Sequence, residues 1–281
     1  MDIKKTFKFM VLSTLSFTFM NSFVKYLSHL PAYELVFFRS LGTLILTMSY
    51  LKYHKISMLG TKRKLLLLRS LAGVTSMTLY FLSLKYLTLG TAVSLRYIAP
   101  IFAAVFAVFI LKEKVKPIQW LFFAFAFCGV LILKGFDGAT DGFGLFLVIL
   151  SAFFSGFVYI TLNMIGKSEH PVVVVNFFMF VATVVGGVLS IFTWKSPQGI
   201  EWLLLSCMGV FGYFGQLYMT KAFQSASTTQ AAPLKYIEVL FAVTVGLIWF
   251  KEVYTLWSLL GIVMIVCGLA LNALYKGKKK A

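Results

Sequence analysis

A chain of 281 residues that is 60% hydrophobic and only 12% charged lacks the polar cover a soluble domain needs. Its net charge of +17 would suit nucleic acid, but the cations sit in short segments between apolar runs and at the two ends, not on a soluble face. Composition and charge placement together exclude a soluble domain and a nucleic-acid partner, and leave an all-α integral membrane protein.

Ten apolar runs follow one another, each long enough to cross a hydrocarbon core of about 30 Å. The first five cover 7–27, 32–51, 65–85, 91–111 and 117–133. Ahead of the first stand Lys4, Lys5 and Lys8, as in a signal peptide, yet no small-residue cleavage site follows. It therefore reads as an uncleaved span. The second run carries Glu34 and Arg39 in ELVFFRSLG, and the third opens with LLLRSLAG. After the glycine-rich GFDGATDG at 135–142, five more runs cover 142–166, 172–193, 200–223, 229–250 and 255–275.

The two sets are copies. TAVSLRYIAPIFAAVFAVFILKEK at 91–114 returns as TQAAPLKYIEVLFAVTVGLIWFKE at 229–252. A shift of 139 residues places Arg96 on Lys235, Tyr97 on Tyr236, Lys112 on Lys251 and Cys128-Gly129 on Cys267-Gly268. The domains expected are 1–139 and 140–281, each a five-helix repeat, together forming one transport domain. Five is an odd number, so the second copy enters the membrane from the opposite face, as inverted repeats do.

Eighteen loop and terminal cations, Lys62, Arg63, Lys64 and Arg69 among them, fall on one side of this topology, against Lys85, Lys134, Lys195 and Lys251 on the other. The excess puts both termini in the cytoplasm of a multi-pass inner-membrane protein.

Four cations lie within spans: Lys25, Arg39, Arg96 and Lys235. Arg96 and Lys235 each sit about six residues inside a span, roughly 9 Å deep at 1.5 Å per residue. From opposite faces, that leaves on the order of 10 Å between them along the membrane normal. Pro100 and Pro233 each remove a backbone donor nearby, and a broken helix is tolerated in lipid only where protein or a wet cavity satisfies the freed groups. Intramembrane charges of this kind either face a solute path or pair internally, Glu238 being one turn from Lys235. Arg39 is a third candidate anchor. Glu34 is either a proton-sensitive gate or the partner of Lys25 or Arg39, and Glu238 is the other candidate for coupling. Among neutral residues, Tyr80, Tyr97, Tyr159, Asn163, Gln216 and Tyr236 could bond a solute or serve as glue between helices.

Enzyme signatures are missing. Gly166-Lys167-Ser168 has no glycine at the head of a P-loop, and His29, His54 and His170 are isolated at span ends. The three cysteines lie inside apolar runs without a CxxC pair, so no metal, cofactor or redox role is expected.

Two halves of five spans, each with a Pro and small-residue fourth helix ending in Lys-Glu, resemble the EamA-type members of the drug/metabolite transporter superfamily. ELVFFRSLG, LLLRSLAG and AVSLRYIAPIFAAVFAVFILKEK carry the likeness, which extends over nearly the whole chain. It is closest to a subgroup with S-adenosylmethionine uptake carriers of intracellular bacteria and certain animal organic-anion carriers. The resemblance implies alternating access, with Tyr80, Arg96, Tyr97, Gln216, Lys235 and Tyr236 on cavity-lining spans. An arginine at position 96, where the subgroup more often has a small hydroxylated residue, favours a solute with a carboxylate or phosphate over a cation.

The sequence thus predicts a non-enzymatic secondary transporter of a small anionic or zwitterionic metabolite. The alternatives are an exporter of amino acids or drug-like compounds, an S-adenosylmethionine-type uptake carrier and, remotely, a lipid-modifying enzyme. Gly129, Gly261 and Gly268 offer a small-residue face to a homodimer.

Overall fold

The computed structural model describes residues 3–110, 112, 116–136, 141–226, 231, 234–235 and 237–277. The joint at 137–140, Pro233 and Tyr236 lie outside the described residues.

Helices occupy all ten predicted runs. They are α1 (Ile3–Tyr26), α2 (Ala32–Tyr53), α3 (Arg63–Ser83), α4 (Leu89–Arg96), α5 (Ala99–Ile110), α6 (Pro117–Phe136), α7 (Gly142–Ile165), α8 (Pro171–Ser190), α9 (Glu201–Ser225), α10 (Ile237–Trp249) and α11 (Leu256–Gly277). Among the described residues seven spans are long and apolar enough to cross a membrane by themselves, and three shorter apolar helices accompany them. An α-helix satisfies its own backbone groups, as lipid requires. The ends are set locally. The Asp141 carboxylate accepts from Gly144 N at 2.7 Å, the Thr88 hydroxyl accepts from Thr91 N at 3.3 Å, and Pro171 opens α8 behind His170.

Helix pairing is reciprocal between the halves. α1 packs on α9 as α7 packs on α3, α2 lies along both α8 and α9, and α8 along both α2 and α3. α6 and α11 form a pair of their own. Exchanging the halves reproduces these pairings. One close crossing is α2 on α9, where a Cβ on Gly42 would sit 2.9 Å from the Gly209 Cα. A larger residue there would push the helices apart. Gly129, which the sequence offered to a dimer, is used inside the chain: its Cβ would fall 2.6 Å from the Gly261 carbonyl, where α6 crosses α11. Gly268 is likewise spent against Phe122 and Ala126 of α6.

The fourth run is two helices. α4 stops at Arg96 and α5 starts at Ala99, with Tyr97 N turned onto the carbonyls of Val93 and Ser94 and Ile101 N onto Ile98. Pro100 cannot continue the ladder. In the ninth run, Leu234 and Lys235 form a short 3₁₀ turn before α10 begins at Ile237. Both copies end alike: Lys112 and Lys251 take left-handed backbone angles, φ 53° and 50°. Exposed Phe109, Leu121, Phe192, Leu256 and their neighbours give the outside an apolar coat that suits lipid.

Candidate solute-binding site

Between α1, α2, α3, α4, α7, α8 and α9 lies an interior chamber. Arg39, Arg69, Arg96 and Lys235 all line it. Among the described residues no acidic side chain does.

Each cation is met by rings, sulfurs or neutral amides. Arg96, in the last turn of α4, lies over the Tyr80 ring of α3, its Cζ 4.3 Å from the centroid. Being at a helix C-terminus favours the positive charge there. Lys235 Nζ is held among the rings of Phe17, Tyr159 and Tyr97 at 5.3, 5.6 and 5.9 Å, and 3.7 Å from the Met219 sulfur. Arg39, on α2, donates Nε to Met20 Sδ at 2.9 Å and Nη1 to Met77 Sδ. Arg69, on α3, donates Nη2 to Gln216 Oε1 at 3.0 Å and stacks on Phe178 with its Cζ 3.9 Å from the centroid.

A thioether is a weak acceptor, and a cation–π contact contributes about 0.5–2 kcal/mol. Taking an ion out of water still costs several kcal/mol, so these contacts hold the cations without neutralising them. The remaining polar wall is neutral: Ser76 Oγ lies 2.7 Å from Ser155 Oγ and donates to the Ser151 carbonyl at 2.9 Å. The described lining is thus cationic and neutral.

Tyr80, Tyr159 and Gln216 line the chamber, and Tyr159 is backed by Phe223, with centroids 4.9 Å apart. Tyr97 borders a smaller adjoining cleft shared with Arg96, Lys235 and Glu238. The buried Glu238 carboxylate accepts from Tyr97 Oη at 2.5 Å and from Asn21 Nδ2 at 3.1 Å. Among the described residues no ion pair joins it to Lys235, because the regular helix that would align them begins only at Ile237.

Other sequence candidates lie elsewhere. Asn163 is half-buried, one turn beyond Tyr159, and is not a lining residue. Glu34 is buried at the end of the bundle opposite the N-terminus, where its Oε2 accepts from Lys195 N at 3.0 Å. Neither Lys25 nor Arg39 pairs with it: Lys25 Nζ lies 3.8 Å from Glu252 and donates to the Leu84 and Leu87 carbonyls.

Arg69 is the residue that sequence reasoning missed. Grouped with the loop cations, it is in fact 1% exposed and six residues inside α3, which begins at Arg63. The available signal was a cation inside an apolar run, one residue shallower than Arg96 in the fourth. Among the described residues no group of three His, Cys, Asp or Glu side chains could hold a metal.

Carboxylates instead fasten the two ends. At the end bearing the N-terminus, Glu169 Oε1 accepts from Thr61 N, Thr61 Oγ1 and Lys62 N, each at 2.6 Å, tying the α2–α3 turn to the α7–α8 turn. Burial works against the Glu169 charge, but these donors outweigh it and hold the carboxyl below its ordinary value. At the opposite end, Glu252 accepts from Leu89 N at 2.8 Å and from the Tyr254 hydroxyl, closing the α10–α11 turn over the start of α4. Burial and that bond push the Tyr254 hydroxyl above its usual range.

A bundle of apolar helices around a cationic interior chamber belongs to the class of membrane transporters, and comparison with known proteins makes the membership specific. The chain belongs to the EamA-like transporter family, whose model matches residues 5–134 and again 142–274. It is 30% identical to the pseudopaline exporter CntI of Pseudomonas aeruginosa over 95% of both chains. It is 29% identical to human solute carrier family 35 member G1, covering 96% of this chain and 80% of that one. With the S-adenosylmethionine uptake transporter of Rickettsia felis it shares 28% identity over 91% and 87% of the two chains. A crystal structure with 14% identity superposes with a TM-score of 0.72 over 98% of this chain and 99% of the other, a likeness of fold. The protein is a multi-pass membrane transporter of a small molecule.

Proposed function

We propose that this transporter moves a small organic anion, or a zwitterion led by its anionic group, across the cytoplasmic membrane by alternating access. Its two five-helix halves enter the membrane in opposite senses, with both termini in the cytoplasm. The carrying observation is the chamber itself: four cations line it, and rings, sulfurs and an amide meet them in place of carboxylates. Relatives whose names specify a pseudopaline exporter and an S-adenosylmethionine uptake carrier support a metabolite-sized solute. The four cations disfavour S-adenosylmethionine-like cations here. Among the described residues the lining has no His, Cys, Asp or Glu to act as a catalytic base, which supports carriage without chemistry.

The test is uptake by the purified protein in liposomes, from a panel of labelled carboxylates, amino acids and nucleotides. Saturable uptake of an anion with trans-stimulation is expected. Replacing Arg96 and Lys235 together by alanine should lower it about 100-fold, the loss of two charge contacts of about 1.4 kcal/mol each. Unchanged uptake in the double variant would overturn the proposal.

A further inference from the structure

The chamber's cations fall into two pairs. Arg39 and Arg69 project from α2 and α3, and both are 1% exposed. Arg96 and Lys235 occupy the two helix breaks, with Glu238 alongside in the adjoining cleft.

The first pair has no carboxylate of its own. Arg39 spends its donors on the Met20 and Met77 sulfurs, and Arg69 keeps Nε and Nη1 without any hydrogen-bond partner although fully buried. The second pair has Glu238 as a local offset. Like charges lining one poorly polarisable chamber repel one another, and a single carboxylate answers one guanidinium fork. A solute with one anionic group would answer one guanidinium fork and leave four lining cations with only that group and Glu238 between them.

Building on the anion reading above, we infer that the chamber takes a solute with at least two separate anionic groups, one held by Arg39 and Arg69 and the other by Arg96 and Lys235. Arg69 becomes a substrate-binding residue in its own right. Gln216, bonded to Nη2, orients its guanidinium so that Nε and Nη1 are free for the solute.

The experiment is thermal stabilisation of the purified wild-type protein by lactate, succinate and tricarballylate, which carry one, two and three carboxylates. Glycerol phosphate is added as a doubly charged single group. Succinate or tricarballylate should act at concentrations at least about tenfold below lactate and glycerol phosphate. The preference should vanish in Arg69→Gln and persist in Arg69→Lys. If lactate equals succinate in the wild type, the two-group inference falls while the anion reading stands. Glycerol phosphate matching succinate would mean that total charge, not the number of groups, is read, and this too would overturn it. Stabilisation by none of the four would sink both. The wild-type panel decides even if Arg69→Gln does not fold.

Discussion

The middle of the molecule and its two ends handle charge in opposite ways. In the chamber, four cations meet rings and sulfurs. At the ends, the carboxylates of Glu169 and Glu252 accept from backbone N–H groups of the facing half and seal turns together. Where closure is needed, the chain supplies its own anion. In the proposed site, the counter-charge would come from the solute. The contrast teaches that the buried arginines are poor contributors to stability and good contributors to recognition, since an ion held only by weak acceptors has most to gain from a ligand.

The sharpest way to break the contrast is to move a carboxylate into the middle. Met77→Glu places one beside Arg39, and anion uptake in liposomes should fall about 100-fold while the protein stays folded, since a buried pair of good geometry can be tolerated. Retained uptake would show that Arg39 is structural. Opening one end gives a middling effect. Glu169→Ala strands three donors, and a net loss of about 2 kcal/mol should lower the melting temperature by roughly 4–8 °C.

That difference depends on pH. Because the folded protein holds the Glu169 carboxyl below its ordinary value of 4.5, its contribution is intact above 4.5 and is lost as pH falls through the folded value. The gap in melting temperature between wild type and Glu169→Ala should therefore stay constant from about pH 8 to 5 and close in stronger acid. The smallest effect tests the border between the regions. Tyr97→Phe removes one of the two donors to Glu238, and about a threefold to tenfold loss of uptake is expected at unchanged melting temperature.

Much of this was legible from residues alone. Apolar run length gave the helices nearly to their ends, as in 32–51 against Ala32–Tyr53, because a lipid-crossing segment has no other way to satisfy its backbone. Pro100 foretold the break after Arg96, and the repeat paired Arg96 with Lys235, which do share a chamber. Arg69 was missed since a cation four residues past the start of an apolar run looks like an interface residue. Only the packing of α3 beside α8, with Gln216 of α9 reaching its guanidinium, buries it. Asn163 is on a plausible helix but one turn from the chamber, and rotation about a helix axis is set by neighbours.

The order of the chain settled what is local: hydrophobic length, helix-breaking prolines, the duplicated cation and the excess of charge in the loops. Each follows from the covalent sequence and the solvent around it. The fold settled which partner each charge receives. Arg69 finds Gln216 at 147 positions' distance, Glu34 finds Lys195 instead of Lys25, and Lys25 finds Glu252. Such choices depend on helix rotation and depth, which arise only when several helices compete for the same interior, so no stretch read singly contains them.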